Sequence, residues 1–293
     1  AGSPEAVPFF IGRHVQIRPE KNIMNTLASL KKSSAYFSYH ALWIAIDWLY
    51  PPQCGGCGKL GIRWCSECQS KVVELKENLC ELCGEVLPHS GICETCHSNP
   101  PAFKALRSVA AFSGPLRTAI HQLKYHQDIA LAESLAELLF QRINALKWDF
   151  DIVTSVPLSK ERQKERGYNQ SNLLAIPLAL RVRKPFIGKA VERIRATHSQ
   201  VGLNKQERQE NVRDAFRANP QLVDQKTVLI IDDVATTGAT LRASSQALRN
   251  AGAIAVYGLT LARPVMSMDD SFDESEKTSN LEHGFGIQLK TTR

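Results

Sequence analysis

Eight cysteines fall between positions 54 and 96 of a 293-residue chain, and none occurs elsewhere. They form four C-x-x-C pairs: Cys54/Cys57, Cys65/Cys68, Cys80/Cys83 and Cys93/Cys96. Two thiolates at this spacing on a tight turn can face one cation, and four complete a tetrahedral zinc site with Zn–S near ~2.3 Å. Eight ligands therefore predict two four-cysteine zinc sites with no open position for substrate, so a structural role. Gly56, Gly58 and Gly84 lie inside or just after the knuckles, where positive φ is expected. Sequential pairing puts Cys54, Cys57, Cys65 and Cys68 on one metal and Cys80, Cys83, Cys93 and Cys96 on the other. Interleaved pairing is the alternative. The segment has little aliphatic content, so the expectation is that metal replaces a hydrophobic core there.

Other uses of these cysteines fit less well. Disulfides need an oxidising compartment, and no export signal is present. A thioredoxin-like pair stands alone beside a βαβ unit rather than four in succession. Cys93-Glu94-Thr95-Cys96-His97 matches the haem-attachment pattern, but three companion knuckles argue against it. No apolar run reaches the ~18 residues of a membrane span. The expected location is the cytoplasm.

From Phe103 the pattern changes. Leu106–Phe112, Asp151–Val156, Val228–Ile231 and Ile254–Leu261 read as strands. Helices are expected from Gly114-Pro115 to Leu123, over Ala130–Leu146, over Asn172–Val182 with a kink at Pro177, and over about Thr240–Asn250. This alternation predicts an α/β domain with a parallel sheet flanked by helices, over 101–264. The small metal module occupies 41–100, and residues 36–50, which run into it, suggest a short amphipathic helix ended by Pro51-Pro52. Residues 1–40 are expected to be an extension, partly disordered; the chain opens on Ala1, and Met24 is a plausible alternative start. Residues 265–293, with six acids against three bases, are expected to be a disordered acidic tail.

The second strong signal is Val228-Leu229-Ile230-Ile231-Asp232-Asp233-Val234-Ala235-Thr236-Thr237-Gly238-Ala239-Thr240. An aliphatic strand ends in two carboxylates, then a small-residue turn with three threonines opens a helix. Ligands of parallel sheets bind at the C-terminal strand ends. A small-residue turn exposes backbone N–H groups, and the helix that follows adds its positive end, a combination suited to phosphate. Adjacent acids cannot hold phosphate; they suit sugar hydroxyls or a bridging metal. An Asp-capped βα turn would explain one Asp and one Thr but not the whole run.

The net charge of +7 is concentrated in residues 160–217, which hold 14 Lys/Arg against six Asp/Glu. Arg162 and Arg166 follow the strand ending at Val156-Pro157 and are anion-binding candidates. Lys205 and Arg208 are further candidates in a polar, weakly patterned stretch. Tyr168 fits a half-buried core position better than a base-stacking one. His121, His126 and His198 have no paired acid at readable spacing, and no residue reads as a dedicated general base.

The turn resembles the phosphoribosyl-pyrophosphate (PRPP) loop of type I phosphoribosyltransferases. The likeness then widens. Ile46-Asp47-Trp48-Leu49-Tyr50-Pro51-Pro52-Gln53-Cys54, the four knuckles, Leu123-Lys124-Tyr125, Val156-Pro157-Leu158, Arg162 and Arg166-Gly167-Tyr168-Asn169-Gln170 look like the ComF family of ComFC- and GntX-type proteins. So do Thr197-His198-Ser199-Gln200 and Asn211-Val212-Arg213-Asp214-Ala215-Phe216. The likeness covers about residues 44–264. It implies a double zinc ribbon joined to a type I phosphoribosyltransferase-like domain, with PRPP and Mg2+ at Asp232–Thr240. In it, Asp232 and Asp233 hold the ribose, and residues 234–240 hold the 5′-phosphate. Arg162, Arg166, Lys205 and Arg208 face pyrophosphate, the last two from a loop over 195–213 that closes on PRPP. The hood, about 103–127, would shape an acceptor site whose chemistry is not legible. The setting implied is DNA uptake in natural competence, or nucleotide metabolism. The alternative is a non-catalytic adaptor for incoming single-stranded DNA, partnered with the DNA-uptake helicase machinery.

Overall fold

The computed structural model describes residues 34–49, 51–126, 128–195 and 214–265. Its centre is a four-stranded parallel sheet built from β1 (Ala105–Ala111), β2 (Ile152–Ser155), β5 (Thr227–Val234) and β6 (Ala255–Arg263), in the order β1-β6-β5-β2. A two-stranded antiparallel ribbon, β3 (Val191–Arg193) and β4 (Phe216–Ala218), stands beside it. The central strands are buried on both faces, as a parallel sheet covered on both sides requires.

The period-two alternation of β5 divides the core. Leu229 and Ile231 face a layer made by α4 (Gly114–Tyr125), α5 (Leu131–Leu146) and α7 (Gln170–Val182), through Leu116, Ile120, Leu123, Leu135, Leu139 and Leu174. Val228 and Ile230 face the other layer, which contains α9 (Ala239–Asn250) and the β3–β4 ribbon, with Leu241, Leu248, Val191 and Phe216. Helix α7 runs through the buried Pro177, so the proline sits inside one continuous helix.

Both sheet edges are closed. Residues 73–75 pair with β1 through Leu75 N to Val109 O (3.0 Å) and Ala111 N to Val73 O (2.8 Å). The outer edge of β2 takes Pro185 and Ile187, with Val153 N to Pro185 O at 2.9 Å and Ile187 N to Val153 O at 2.8 Å. An open edge would be a template for another chain, and these segments remove it.

The cysteine region departs from expectation in one respect. Cys80, Cys83, Cys93 and Cys96 belong to the same buried cluster as Leu106, Val228, Ile230 and Leu241, so the second half of the module is part of the main core. Cys54, Cys65 and Cys68 form a small core of their own with Trp64. The first described helix, α1 (Ser34–Leu49), starts two residues before the expected 36–50 and is not cleanly amphipathic, with Phe37, Leu42 and Ile44 exposed. Tyr36 on this helix accepts a hydrogen bond from Arg181 of α7 (2.9 Å), and Asp47 pairs with Arg63 of the first knuckle region. No helix among the described residues is long and apolar enough to cross a membrane.

Candidate metal centres and phosphate-binding turn

Each cysteine cluster is a hairpin knuckle followed by one short helical turn. In the first, Cys54 N donates to Lys59 O (2.8 Å) and Gly58 N to Cys54 O (2.8 Å). In the second, Cys80 N donates to Glu85 O (2.7 Å) and Gly84 N to Cys80 O (2.9 Å). Of the later cysteines, Cys65 and Cys93 stand at the N-caps of α2 (Ser66–Ser70) and α3 (Glu94–Ser98), and Cys68 and Cys96 lie within those helices. Gly58 and Gly84 take φ of +76° and +69°. Gly56 keeps an ordinary φ, and its hydrogen side chain instead admits Cys68 Sγ and Pro115 Cβ, 2.7 and 2.8 Å from where a Cβ would lie.

The four sulfurs of Cys54, Cys57, Cys65 and Cys68 lie within 4.8 Å of one another, and so do those of Cys80, Cys83, Cys93 and Cys96. Sequential pairing is therefore the one adopted. Cys54–Cys68, Cys57–Cys65 and Cys83–Cys93 sulfurs stand 3.6, 3.7 and 3.6 Å apart. A regular tetrahedron of Zn–S ~2.3 Å has an edge of ~3.8 Å, so the donor sets fit zinc. Backbone amides support the thiolates, with Cys65 N on Cys54 Sγ at 3.4 Å and Cys93 N on Cys80 Sγ at 3.3 Å.

The phosphate-type turn lies at the C-terminal end of β5. The strand continues through both acids to Val234, further than the aliphatic run alone suggested. Gly238, at φ +72°, is the N-cap of α9 and supplies no side-chain cap. A left-handed conformation there costs a residue with a Cβ roughly 1–2 kcal/mol, which is why glycine occupies it. Thr237 Oγ1 accepts from Ala239 N (3.3 Å).

The two acids differ. Asp233 is buried, and its Oδ2 pairs with Lys124 Nζ of α4 at 3.0 Å while its Oδ1 accepts from Val234 N at 2.6 Å. Asp232 is half-buried, and its Oδ1 accepts from Ser171 Oγ (2.8 Å) and Asp233 N (3.0 Å). Burial pushes the Asp232 carboxyl up to about 7, the negative Asp233 adds to the rise, and the Ser171 hydroxyl opposes it. One lysine thus faces two carboxylates, which leaves the pair short of positive charge.

The segment Arg166-Gly167-Tyr168-Asn169-Gln170-Ser171 assembles the floor beside these acids. Gly167 ends α6 (Lys160–Arg166) in a left-handed turn. Asn169 caps α7, accepting from Ser171 N (2.9 Å) and donating to Val156 O (2.9 Å). Tyr168 is half-buried and its hydroxyl donates to Leu123 O at 2.5 Å, next to Lys124. Arg166 donates to Gln170 Oε1 (3.0 Å) and lies over the Tyr125 ring, 5.0 Å from its centroid. Arg162 lies on the same short helix, and its charge is felt by Arg193 of β3. A hollow of about 420 Å3 opens at the end of β2, lined among others by Ser155, Pro157, Leu158, Lys160 and Lys164. Lys205, Arg208, His198 and the rest of residues 196–213 lie outside the described residues.

Three functional neighbours were not assigned from sequence: Ser171, Lys124 and Arg242, whose Nη2 reaches Cys96 Sγ at 2.9 Å. Lys124 sits in the Leu123-Lys124-Tyr125 motif, and Ser171 directly follows the motif ending at Gln170. Their roles depend on α4 and α7 converging on β5, which no local spacing encodes.

Comparison with known proteins follows the same division. A double zinc ribbon domain matches residues 45–97, and a phosphoribosyl transferase domain matches residues 169–280. The DNA utilization protein YhgH of Escherichia coli K12 is 36% identical over 206 residues, covering 68% of this chain and 89% of its own. Competence protein F of Haemophilus influenzae is 30% identical over 208 residues, covering 68% and 90%. Competence protein ComFC of Bacillus subtilis is 26% identical over 246 residues, covering 78% and 91%. Among solved structures, the glutamine PRPP amidotransferase of B. subtilis matches 48% of this chain and 30% of its own at 20% identity and a TM-score of 0.34. Adenine phosphoribosyltransferase of Trypanosoma brucei matches 57% and 76% at 14% identity and a TM-score of 0.33. With both domains in order on one chain, and relatives at 30% identity or more aligned over most of their own length, the chain belongs to the ComF family.

Proposed function

We propose that the Asp232–Thr240 turn binds the phosphoribosyl group of PRPP together with Mg2+, in a protein that serves DNA or nucleotide utilisation. The observation that carries this reading is the arrangement at the end of β5. Two carboxylates, a left-handed Gly238 and the N-terminus of a 12-residue helix follow one another at the C-terminal edge of a parallel sheet. Backbone N–H groups of residues 235–240 and the helix dipole suit the 5′-phosphate. Asp232 and Asp233 suit the ribose hydroxyls, directly or through the cation. The donor set fits Mg2+, because two adjacent carboxylates with one lysine ion pair leave oxygen ligands and negative charge that a divalent cation would take up. Arg162 and Arg166 stand on the pyrophosphate side, where Lys205 and Arg208 are assigned as well. When bound, the cation would draw charge from the departing pyrophosphate.

The reaction type is displacement at C1 of the ribose. A nitrogen nucleophile forms the new bond, the C1–O bond breaks, and pyrophosphate leaves with the electron pair. Lys124 would meet this chemistry only through Asp233, which it holds in place. The DNA connection rests on the relatives, which are named for DNA utilization and for competence.

PRPP binding tests the reading. Thermal stability of the full chain is measured with PRPP, with and without Mg2+, for the wild type and for Asp232→Asn/Asp233→Asn. Stabilisation of the wild type that needs Mg2+ and is lost in the double variant is expected. No stabilisation of the wild type by PRPP would refute it.

A further inference from the structure

The two cysteine clusters share one design but not one environment. Cys57 of the first cluster is exposed, and its neighbours form a satellite core with Trp64. All four cysteines of the second are buried in the cluster that also contains Ala235, Ala239 and Leu241, which are the turn and first residues of α9.

Two contacts tie this second site to the turn. Arg242, in the first turn of α9, donates from Nη2 to Cys96 Sγ (2.9 Å) and from Nη1 to Asn99 O (2.8 Å), and it lies over the Phe103 ring. A cation in the first turn of a helix opposes the helix dipole. Here it faces a cluster whose four thiolates around Zn2+ would carry a net charge of about −2, which makes the position favourable. The other tie is Leu106. Its amide donates to Leu82 O inside the knuckle (2.7 Å), and its side chain lies 3.6 Å from where a Cβ on Gly238 would be. Its carbonyl stands 2.5 Å from where a Cβ on Gly84 would be, so the backbones are in close contact. Arg242 thus touches the second ribbon directly, and Gly238, one helical turn before it, packs on Leu106, whose backbone the knuckle holds.

We propose that Arg242 is a positioning residue that makes the second four-cysteine site part of the phosphate cradle, so that zinc at this site, and not at the first, holds the 235–241 turn in its binding geometry. The significance for ligand binding rests on the function proposed above; the link between zinc and turn does not. Loss of the second zinc, by chelation or by oxidation of its thiolates, would then loosen the turn.

The test uses the full zinc-loaded chain. Zinc release to a chromogenic chelator is followed for wild type, Arg242→Gln and Arg242→Lys, with amide hydrogen exchange across residues 235–241. Removing a group that hydrogen-bonds a ligand sphere changes metal affinity by about 10–100-fold. Arg242→Gln is therefore expected to speed release of one zinc by about that factor and to leave the other at the wild-type rate. Faster exchange across 235–241 should accompany it. Arg242→Lys, which keeps the charge but cannot reach both acceptors as a fork, should fall between. In the wild type, chelation of the second zinc alone should raise exchange in the same stretch. Unchanged zinc release in Arg242→Gln, or faster release with unchanged exchange of the turn, would overturn the proposal. A second arm measures PRPP protection. By reciprocity, Mg2+-PRPP should raise the zinc affinity of the second site, read as a higher chelator concentration at half-removal once equilibrium is reached, and leave the first unaffected. If PRPP does not bind the wild type at all, the function proposed above fails while the exchange arm still decides the zinc–turn link.

Discussion

Asp232→Asn should stabilise the protein while removing its ligand binding, and the size of the gain should depend on pH in a defined way. The ordinary carboxyl midpoint is 3.8, and burial beside Asp233 raises it to about 7 in the folded chain. The folded state therefore holds this proton more tightly than the unfolded state does. Stability linked to it is complete below 3.8, declines as pH rises, and is gone above about 7. At ~1.36 kcal/mol per pH unit, the ionised carboxylate costs the folded state up to about 4 kcal/mol at pH 8. The asparagine of the variant would carry no such cost, and its Oδ1 could still accept from Ser171 and from the Asp233 amide. The new NH2 group and partial access of water offset part of the gain, so a net stabilisation of about 2 kcal/mol at pH 8 is expected. For a domain of this size that corresponds to a rise in Tm of about 4–8 °C. The gap between variant and wild type should widen by about 1 kcal/mol between pH 6 and pH 7, by about 0.4 kcal/mol more by pH 8, and then level off. Thermal or urea unfolding of both proteins, without PRPP and at fixed free zinc, measures this gap while the metal contribution cancels. Ser171→Ala is the companion: it removes a donor to the ionised form and should destabilise more at pH 8 than at pH 6. An Asp232→Asn variant less stable than wild type at pH 8, or a gap independent of pH from 6 to 8, would refute the reasoning.

Two further outcomes follow from packing. Lys124→Ala leaves the buried Asp233 Oδ2 without its ion-pair partner and should cost about 3 kcal/mol in urea unfolding, with PRPP binding weakened as well. Gly84→Ala sets a Cβ 2.5 Å from the Leu106 carbonyl at φ +69° and should cost more than about 2 kcal/mol, whereas Gly238→Ala, with its nearest contact at 3.6 Å, should cost only the ~1–2 kcal/mol of the left-handed conformation. Equal losses for the two glycine variants would contradict the close backbone contact between knuckle and β1.

The metal ligands were legible because a C-x-x-C knuckle is local, four residues fixing both sulfurs; which knuckles share a metal is open to two pairings in the sequence and is decided by the two sulfur clusters of the fold. The Asp232–Thr240 turn was legible for a similar reason, since strand, acids and helix start are contiguous. Arg166-Gly167-Tyr168-Asn169-Gln170 was noticed, but its arginine was read only as an anion ligand. The structure has Gly167 ending one helix, Asn169 starting the next, and Tyr168 fastening α4 through Leu123 O. These contacts join segments 45 residues apart, and sequence spacing carries no trace of them.

The sequence by itself determined the inventory: eight thiolates in four knuckles, an acid pair at the end of an aliphatic strand, a glycine where the chain must turn left-handed, and a parallel α/β pattern. Each is fixed by residue type and short-range spacing. Tertiary structure decided what these parts are to one another. The second ribbon proved to be core rather than appendage, because Leu106 and Arg242 draw it against the sheet and α9. The two acids proved unequal, because α4 brings Lys124 to Asp233 while α7 brings Ser171 to Asp232. Burial and charge pairing are properties of the packed chain, set by which elements converge, and residues adjacent in sequence can receive opposite shares of both.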